Sequence, residues 1–237
     1  MSANFFTLPR ELRDRVYELC LLLQEPINIW IGFDKRKKLT PGLFRANKAV
    51  HREAGWLFYS QNRFNFTMVT PRDVASFLGS IGRSNANYIR HVHVDFPILR
   101  DLEPSNVTIE EGSICILGNI QSCCANLSTL TMSTNAMALK LDSLDHPKII
   151  NEALKLVNTR FRAISSIQDI IVEVDEDGPS YYIRRKMESY GWTISATEYV
   201  DDCSIEDEWN DYDFGDCDYI LAYDSWRSAR MNAPRWL

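Results

Sequence analysis

The sequence predicts an α/β protein in which a small helical module precedes an irregular sheet of alternating strands and helices. Three strands are predicted by one apolar pattern, apolar-x-x-apolar-x-apolar, which occurs at Ile89, Val92 and Val94, at Leu127, Leu130 and Met132, and at Ile167, Ile170 and Val172. The matches begin 38 and 40 residues apart, which leaves room for a helix in each interval. Parallel strands joined by right-handed crossovers would follow, with a generic α/β sheet as the alternative.

Length and composition are those of a folded chain. The 237 residues include 45% hydrophobic and 24% charged side chains, which is enough to build a core. We divide the chain into a module over residues 1–69 and a sheet domain over residues 70–237. No apolar run approaches the ~18 residues that a membrane span needs, and no secretory signal is visible. We therefore expect a protein of the cytoplasm, the nucleus or both, with reduced cysteines.

Two helices and two strands are predicted in the first 69 residues. The first helix opens at Pro9 and ends near Gln24, with apolar residues at helical spacing at Leu12, Val16, Leu19 and Leu23. Alternating isoleucines predict a strand over residues 27–31, and a second helix is expected over about residues 41–59. A further strand is predicted where apolar residues alternate with polar ones, at Phe64, Phe66 and Met68.

Helices are predicted in the intervals of the sheet domain. Thr70 and Pro71 begin a short helix that Gly79 and Gly82 close. Longer helices are expected over about residues 108–124 and 147–165. A fourth unit with a less regular pattern would consist of a helix over residues 181–190 and a strand over residues 192–200.

Charge is distributed unevenly along the chain. Residues 1–100 carry a net charge of +7, residues 101–186 carry -4 and residues 187–237 carry -9. Nine carboxylates and no basic side chain lie within residues 201–218, so this acidic segment repels nucleic acid. The favoured interpretation is that this segment is a solvent-exposed loop. Because aromatic residues are interleaved with the acids, it could instead pack partly against the protein or bind a basic partner. The basic run at residues 35–38 is interpreted as a solvated loop rather than a nuclear-localisation signal.

Two blocks of the N-terminal region have distinctive sequences. The first block is FTLPRELRDRVYEL at residues 6–19, and the second is LFRANKAVHREA at residues 43–54, followed by LFYSQNRF at residues 57–64. Together these blocks resemble the F-box-like proteins of filamentous fungi. The strand and helix units beyond them resemble the leucine-rich-repeat domains that often follow an F-box. The resemblance thus covers residues 5–70 directly and indicates an F-box-like module followed by a leucine-rich-repeat-like sheet.

The resemblance implies a substrate receptor of a cullin-RING ubiquitin ligase, with a Skp-type adaptor and an unknown protein target as partners. Carried over by position, the residues that face the adaptor are Leu8, Pro9, Leu12, Val16 and Leu19. An amphipathic helix needs a second apolar surface, which is either a partner's groove or the protein's own core. The alternative function is therefore a protein-interaction scaffold that acts without a ligase. We expect a monomer outside the complex.

Polar residues alternate with the apolar ones on the predicted strands and define a candidate target-binding face. Its members project from the side of the sheet opposite the apolar residues: His91, His93 and Asp95, then Thr129, Thr131 and Ser133, then Ile171, Glu173 and Asp175. Two imidazoles and a carboxylate on the first strand are also compatible with zinc or iron. Because no further histidine lies nearby in sequence, recognition is favoured, and we expect no metal and no cofactor.

Motifs of the common catalytic sites are absent from the sequence. It contains no G-x-S-x-G, no P-loop, no G-x-G-x-x-G and no H-E-x-x-H. The sequence does not exclude a catalytic cysteine and histidine that are brought together only by the fold. Examples are Cys115, Cys123 or Cys124 with His91 or His146. Buried structural cysteine is the favoured interpretation. We therefore expect no enzyme and no catalytic residues, with a metal- or cysteine-dependent enzyme as the remaining alternative.

Overall fold

The chain folds as an α/β protein in a computed structural model that describes residues 5–29, 41–103, 106–133, 146–174 and 178–196. Within these residues, seven α-helices and two 3-10 helices, Phe5–Thr7 and Pro41–Arg45, accompany eight strands. The helices are α1 (Arg10–Leu21), α2 (Lys48–Gln61), α3 (Pro71–Ile81), α4 (Arg83–Ala86), α5 (Glu111–Cys123), α6 (Pro147–Arg162) and α7 (Tyr181–Ser189). The strands are β1 (Ile27–Asn28), β2 (Arg63–Asn65), β3 (His91–Asp95), β4 (Leu99–Arg100), β5 (Thr108–Ile109), β6 (Thr129–Ser133), β7 (Asp169–Val174) and β8 (Thr193–Ala196).

Six strands form one sheet in the order β1-β2-β3-β6-β7-β8, and every neighbouring pair is parallel. The three apolar matches lie in register, so that Val92 pairs with Leu130 and Leu130 pairs with Ile170. This confirms the predicted α/β class and the three predicted strands. Because each strand follows its neighbour in sequence, the chain advances across the sheet one strand and crossover at a time.

Side-chain caps set the starts of two helices. Asn47 accepts hydrogen bonds from the backbone N–H groups of Ala49 and Val50, which fixes the first turn of α2. At α3, Thr70 and Asp73 form a reciprocal capping box, with Pro71 at the first helical position. Gly82 then ends α3 at a φ of 79°, a conformation that favours glycine.

The hydrophobic core extends along the whole sheet. Val92, Leu130 and Ile170 are fully buried on one face, in the same cluster as Tyr17 of α1 and Phe58 of α2. Strand β2 pairs with β3, so the sheet runs across the boundary predicted between residues 69 and 70. That boundary marks a change of sequence pattern, and the strands on its two sides share hydrogen bonds.

Several predicted elements differ from the structure at their ends. The helix predicted over residues 41–59 is divided into a 3-10 helix at Pro41–Arg45 and α2, because the Asn47 cap starts a new helix. The strand predicted to include Phe66 and Met68 ends at Asn65, and Met68 adopts a φ of 58° with 86% of its surface exposed. Residues 108–109, predicted as helix, pair instead with β4 in an antiparallel ribbon.

Some predicted features lie outside the described residues. These are the strand residues beyond 29 and beyond 196, the basic run at residues 35–38 and the acidic segment at residues 201–218. Among the helices that the structure describes, none combines the length and the apolar character needed to cross a membrane.

Candidate functional site

The outer face of α1 exposes the apolar residues that the resemblance assigns to an adaptor. The exposed fractions are 37% for Leu8, 53% for Leu12 and 72% for Leu19. Pro9 is also exposed and Val16 is half-buried. Because residues three and four apart share one side of a helix, Leu12, Val16 and Leu19 form a continuous stripe. We call these five residues the α1 stripe.

The opposite side of α1 packs against α2 through a polar network. The guanidinium of Arg13 donates from Nε and Nη2 to the two carboxylate oxygens of Glu53, at 3.0 and 2.9 Å. The hydroxyl of the buried Tyr17 donates to Glu53 Oε2 at 3.0 Å. The sequence periodicity places leucines on the helix's apolar side, but Tyr17 and Leu21 are the α1 residues that enter the core. The α1 stripe therefore faces away from the protein's own core.

Electrostatics keep this network in one protonation state near neutral pH. The hydrogen bond from Arg13 holds the pKa of the Glu53 carboxyl below its ordinary value, so Glu53 is ionised. Burial, and then the hydrogen bond to Glu53, raises the pKa of Tyr17 to about 12. Tyr17 is therefore a neutral donor and Glu53 a charged acceptor.

Asn62 connects the ends of α1 and α2, and sequence reasoning did not single it out. Its buried amide nitrogen donates to the carbonyls of Leu21 and Phe58, both at 2.9 Å, and its Oδ1 accepts from the N–H of Leu23 at 2.9 Å. The bond to Leu21 satisfies a carbonyl at the C-terminal end of α1. The carbonyl of Phe58 also accepts from the backbone N–H of Asn62, at 3.3 Å. The asparagine within the second resemblance block was the only sequence signal for this position.

The second candidate surface is the face of the sheet opposite the core. The structure places on it the predicted residues that it describes, namely His91, His93, Asp95, Thr129, Thr131, Ser133, Ile171 and Glu173. We call this set the open face. Asp175, predicted to belong to it, lies outside the described residues. Thr131 is only 4% exposed, because it lies in the centre of the sheet and His91 bonds to its hydroxyl.

Two histidine and hydroxyl pairs join β3 to β6 on the open face. His91 Nε2 lies 2.7 Å from Thr131 Oγ1, and His93 Nε2 lies 2.7 Å from Ser133 Oγ. Because His91 pairs with Thr129 and His93 with Thr131 in the register, each ring reaches diagonally to the residue two positions further on. Glu173 on β7 extends the array, with its Oε2 at 3.4 Å from His93 Nε2.

Both imidazoles on the open face are neutral near pH 7. Burial lowers the pKa of His91 to about 4, and the positive charge of Arg63 and the neighbouring His93 act in the same direction. Burial also lowers the pKa of His93, although the carboxylates of Glu173 and Asp95 oppose the shift. The central open face therefore offers neutral rings and hydroxyl groups.

The geometry of the open face differs from that of a nucleophilic site. In a catalytic triad, the nucleophile and the carboxylate contact opposite nitrogens of the histidine. Here Ser133 and Glu173 approach the same nitrogen of His93. Over the part of the chain that the structure describes, no three histidine, cysteine or acidic side chains are grouped as a metal site. What the arrangement provides is an array of hydrogen-bonding groups on a rigid sheet.

Among the four cysteines that the structure describes, Cys124 is the buried one. Burial raises the pKa of its thiol to about 12, which suppresses the thiolate. Cys123 is half-buried and Cys115 is exposed, and all three thiols are free. The pairing of these cysteines with His91 that the sequence left open is not formed, since His91 bonds to Thr131.

Comparison of the chain with protein-family models, with curated proteins and with solved structures gave no match.

Proposed function

We propose that this protein is an F-box-like substrate receptor, which binds a Skp-type adaptor of a cullin-RING ubiquitin ligase through α1 and a protein target through the open face. The observation that supports it is the exposed α1 stripe. An apolar stripe on a helix whose other side is already packed is suited to a groove on a second protein. The resemblance of residues 6–19 to the F-box-like family supports an adaptor as that second protein.

The open face supports the target-binding half of the proposal. Its neutral imidazoles, hydroxyls and carboxylates can donate and accept hydrogen bonds at fixed spacing on a six-stranded sheet. Parallel strands in register present such groups as an extended array, which suits the recognition of a protein surface. A receptor of this kind needs no catalytic residue or cofactor of its own, and it would act in the cytoplasm or the nucleus.

Co-expression with a Skp-type adaptor followed by size-exclusion chromatography tests the adaptor contact. We expect the two proteins to elute as a one-to-one complex. The variants Leu12→Glu and Leu19→Glu place a charge in the stripe and should abolish the complex. Because both positions are exposed, the unfolding free energy should change by less than about 0.5 kcal/mol. Alanine at both Leu8 and Pro9 should weaken capture in the same way.

Met68→Glu is the matched control, since Met68 is 86% exposed and lies after β2 rather than on α1. This variant should keep the complex. A complex that survives both glutamate variants on α1 would contradict the assigned contact. Failure of the folded wild-type chain to form any complex would favour the alternative, a protein-interaction scaffold that acts without a ligase.

A further inference from the structure

Helices α6 and α7 lie side by side and are joined by hydrogen bonds along their length. Near their first turns, Asn151 Nδ2 donates to the hydroxyl of Tyr182 at 3.0 Å. Near their last turns, Arg162 Nη2 donates to the carbonyl oxygen of Tyr190 at 3.1 Å. Because the N-terminal turns of the two helices contact each other and so do their C-terminal ends, the helices run parallel. The groove between them is one continuous seam.

Two lysines lie along this seam. Lys155 is four residues after Asn151, and Lys186 is four residues after Tyr182 and four before Tyr190. Residues four apart share one side of a helix, so both lysines lie on the sides of their helices that face the seam. The ammonium of Lys186 lies 5.4 Å from the ring centre of Tyr190. We define the α6–α7 seam by Lys155, Arg162, Tyr182, Lys186 and Tyr190.

The surroundings of the seam are also basic. Over α6 and α7, the basic side chains are Lys148, Lys155, Arg160, Arg162, Arg184, Arg185 and Lys186, and the acidic ones are Glu152 and Glu188. Glu188 lies 3.6 Å from Arg185, on the side of α7 away from Lys186. A net positive field thus covers these two helices, although the chain as a whole carries a net charge of -6.

A complementary ligand is present in the same chain. Residues 201–218 contain nine carboxylates and no lysine or arginine. Trp209, Tyr212 and Phe214 are interleaved with them, and aromatic rings suit a surface that presents Tyr182, which is exposed, beside cations. The segment therefore matches the seam in both charge and aromatic character.

The last described strand ends within reach of the seam. Strand β8 is parallel to β7, and Ala196 pairs with Val174. Since α7 follows the end of β7, the chain leaves β8 near the first turns of α6 and α7. The four residues 197–200 span up to about 14 Å when extended. The 18 residues of the acidic segment can then cover the ~24 Å length of α6.

We infer that the acidic segment, residues 201–218, docks on the α6–α7 seam as an intramolecular ligand. The short connection gives the segment a high effective concentration at the seam, so modest attraction is sufficient. Its carboxylates neutralise Lys155, Arg162 and Lys186 and keep anionic partners, including nucleic acid, off these helices. Salt weakens the contact, because exposed charges are screened over ~10 Å at 0.1 M. The inference does not depend on adaptor binding.

Zero-length carbodiimide crosslinking of the full chain tests the contact directly. The reagent joins a lysine amine to a carboxylate that touches it, and mass spectrometry of the monomer identifies the linked peptides. We expect Lys155 and Lys186 to be linked to residues 201–218 at low salt, with loss of these links in 0.5 M NaCl. Links from the segment predominantly to Lys48 or to the lysines of residues 35–38, or no links from it at all, would overturn the inference.

Variants that keep both lysines provide the second measurement. Arg162→Glu should remove the links, whereas Arg90→Glu, an equal change of charge at an exposed arginine elsewhere, should retain them. Neutralising the segment instead, by Glu206→Gln, Asp207→Asn and Glu208→Gln together, should also remove them without touching α6 or α7. Unchanged links in this triple variant would refute the electrostatic contact even if Arg162→Glu failed to fold.

Discussion

Glu53 shows how one side chain determines which side of α1 is buried. Its carboxylate is 11% exposed and accepts hydrogen bonds from Arg13 and Tyr17, while Arg10 lies 3.3 Å away. Leaving the buried Tyr17 hydroxyl without an acceptor would carry a desolvation cost. The network therefore favours the rotation of α1 that turns Tyr17 inward and the leucines of the α1 stripe outward.

Replacement of Glu53 by glutamine should make unfolding less sensitive to acid. The pKa of Glu53 is lowered in the folded protein, so its stabilising contribution is complete above the unfolded value of 4.5 and is lost as the pH falls through the lower folded value. Glu53→Gln should therefore lower the unfolding free energy at pH 7 and by less at pH 3. Urea titrations at the two pH values measure this difference.

Glu18→Gln is the control for that experiment. Glu18 also lies on α1 and pairs with Arg15, but this pair is solvent-exposed and contributes little. Glu18→Gln should therefore lower the unfolding free energy only slightly at both pH values. Equal penalties for Glu53→Gln at pH 7 and pH 3 would contradict the role assigned to the ionised carboxylate.

Residue-level contacts were the least predictable part of the molecule. The outward positions of His91 and His93 followed from strand alternation. Their partners Thr131 and Ser133 are each 40 residues away along the chain and depend on how β3 and β6 pair. Glu53 and Tyr17 are likewise brought together across 36 residues. Spacing within one element contains no information about such partners.

At the scale of the element, the apolar pattern was a strong predictor because it reports burial directly. The middle and last positions of the pattern are buried on β3, β6 and β7. The short elements were missed, since β4 and β5 have two residues each and too few positions to show a period. For α1, periodicity identified the apolar stripe and left open whether it faced core or partner.

Leu130→Ala should be one of the most destabilising single changes in the sheet. Leu130 is fully buried on β6, the strand between β3 and β7, where a cavity cannot be filled by solvent. Truncation of a buried leucine costs about 2–5 kcal/mol, through lost transfer free energy and the cavity that remains. Urea-induced unfolding at pH 7 measures the loss.

The adjacent residue on the same strand supplies the comparison. Thr129 lies on the open face, and its side chain is half-exposed. Thr129→Ala should therefore lower the unfolding free energy by less than about 1 kcal/mol. Similar penalties at the two positions would mean that the sheet does not have one buried and one open side.

At the scale of the whole molecule, the sheet grows in sequence order from β1 to β8, and each strand contacts only its neighbours. Such a linear arrangement has its weakest points at the two ends. The terminal strands β1 and β8 contain two and four residues, and within the described residues each pairs with a strand on one side only. Local opening should begin there.

Amide hydrogen exchange should show this gradient. We expect the slowest exchange in β3, β6 and β7, whose opening requires global unfolding, and faster exchange in β1 and β8. Mass spectrometry of peptides from the full chain resolves these regions. Uniform protection across all six strands would instead indicate a single cooperative unit.

The order of the strands was predictable for the repeated units, because parallel crossovers between successive matches permit few topologies. The positions of β1 and β2 in the sheet were not predictable. Both regions were predicted as strands, but within a separate N-terminal module. Their place in the sheet depends on the pairing of β2 with β3, which aligns Phe64 with Val92, and on the pairing of β1 with β2. The pattern that would reveal this alignment is too short at β1 and β2.

The hydrogen bonds of Glu53 and Asn62 that join α1 to α2 affect how tightly α1 can bind a partner. Glu53 holds the first half of α1 and Asn62 holds its end, so the helix cannot rotate or unwind without breaking buried hydrogen bonds. A partner that meets the leucines on its outer side encounters a surface that is already ordered. Little conformational entropy is then lost on docking, and a small apolar contact area can support measurable binding.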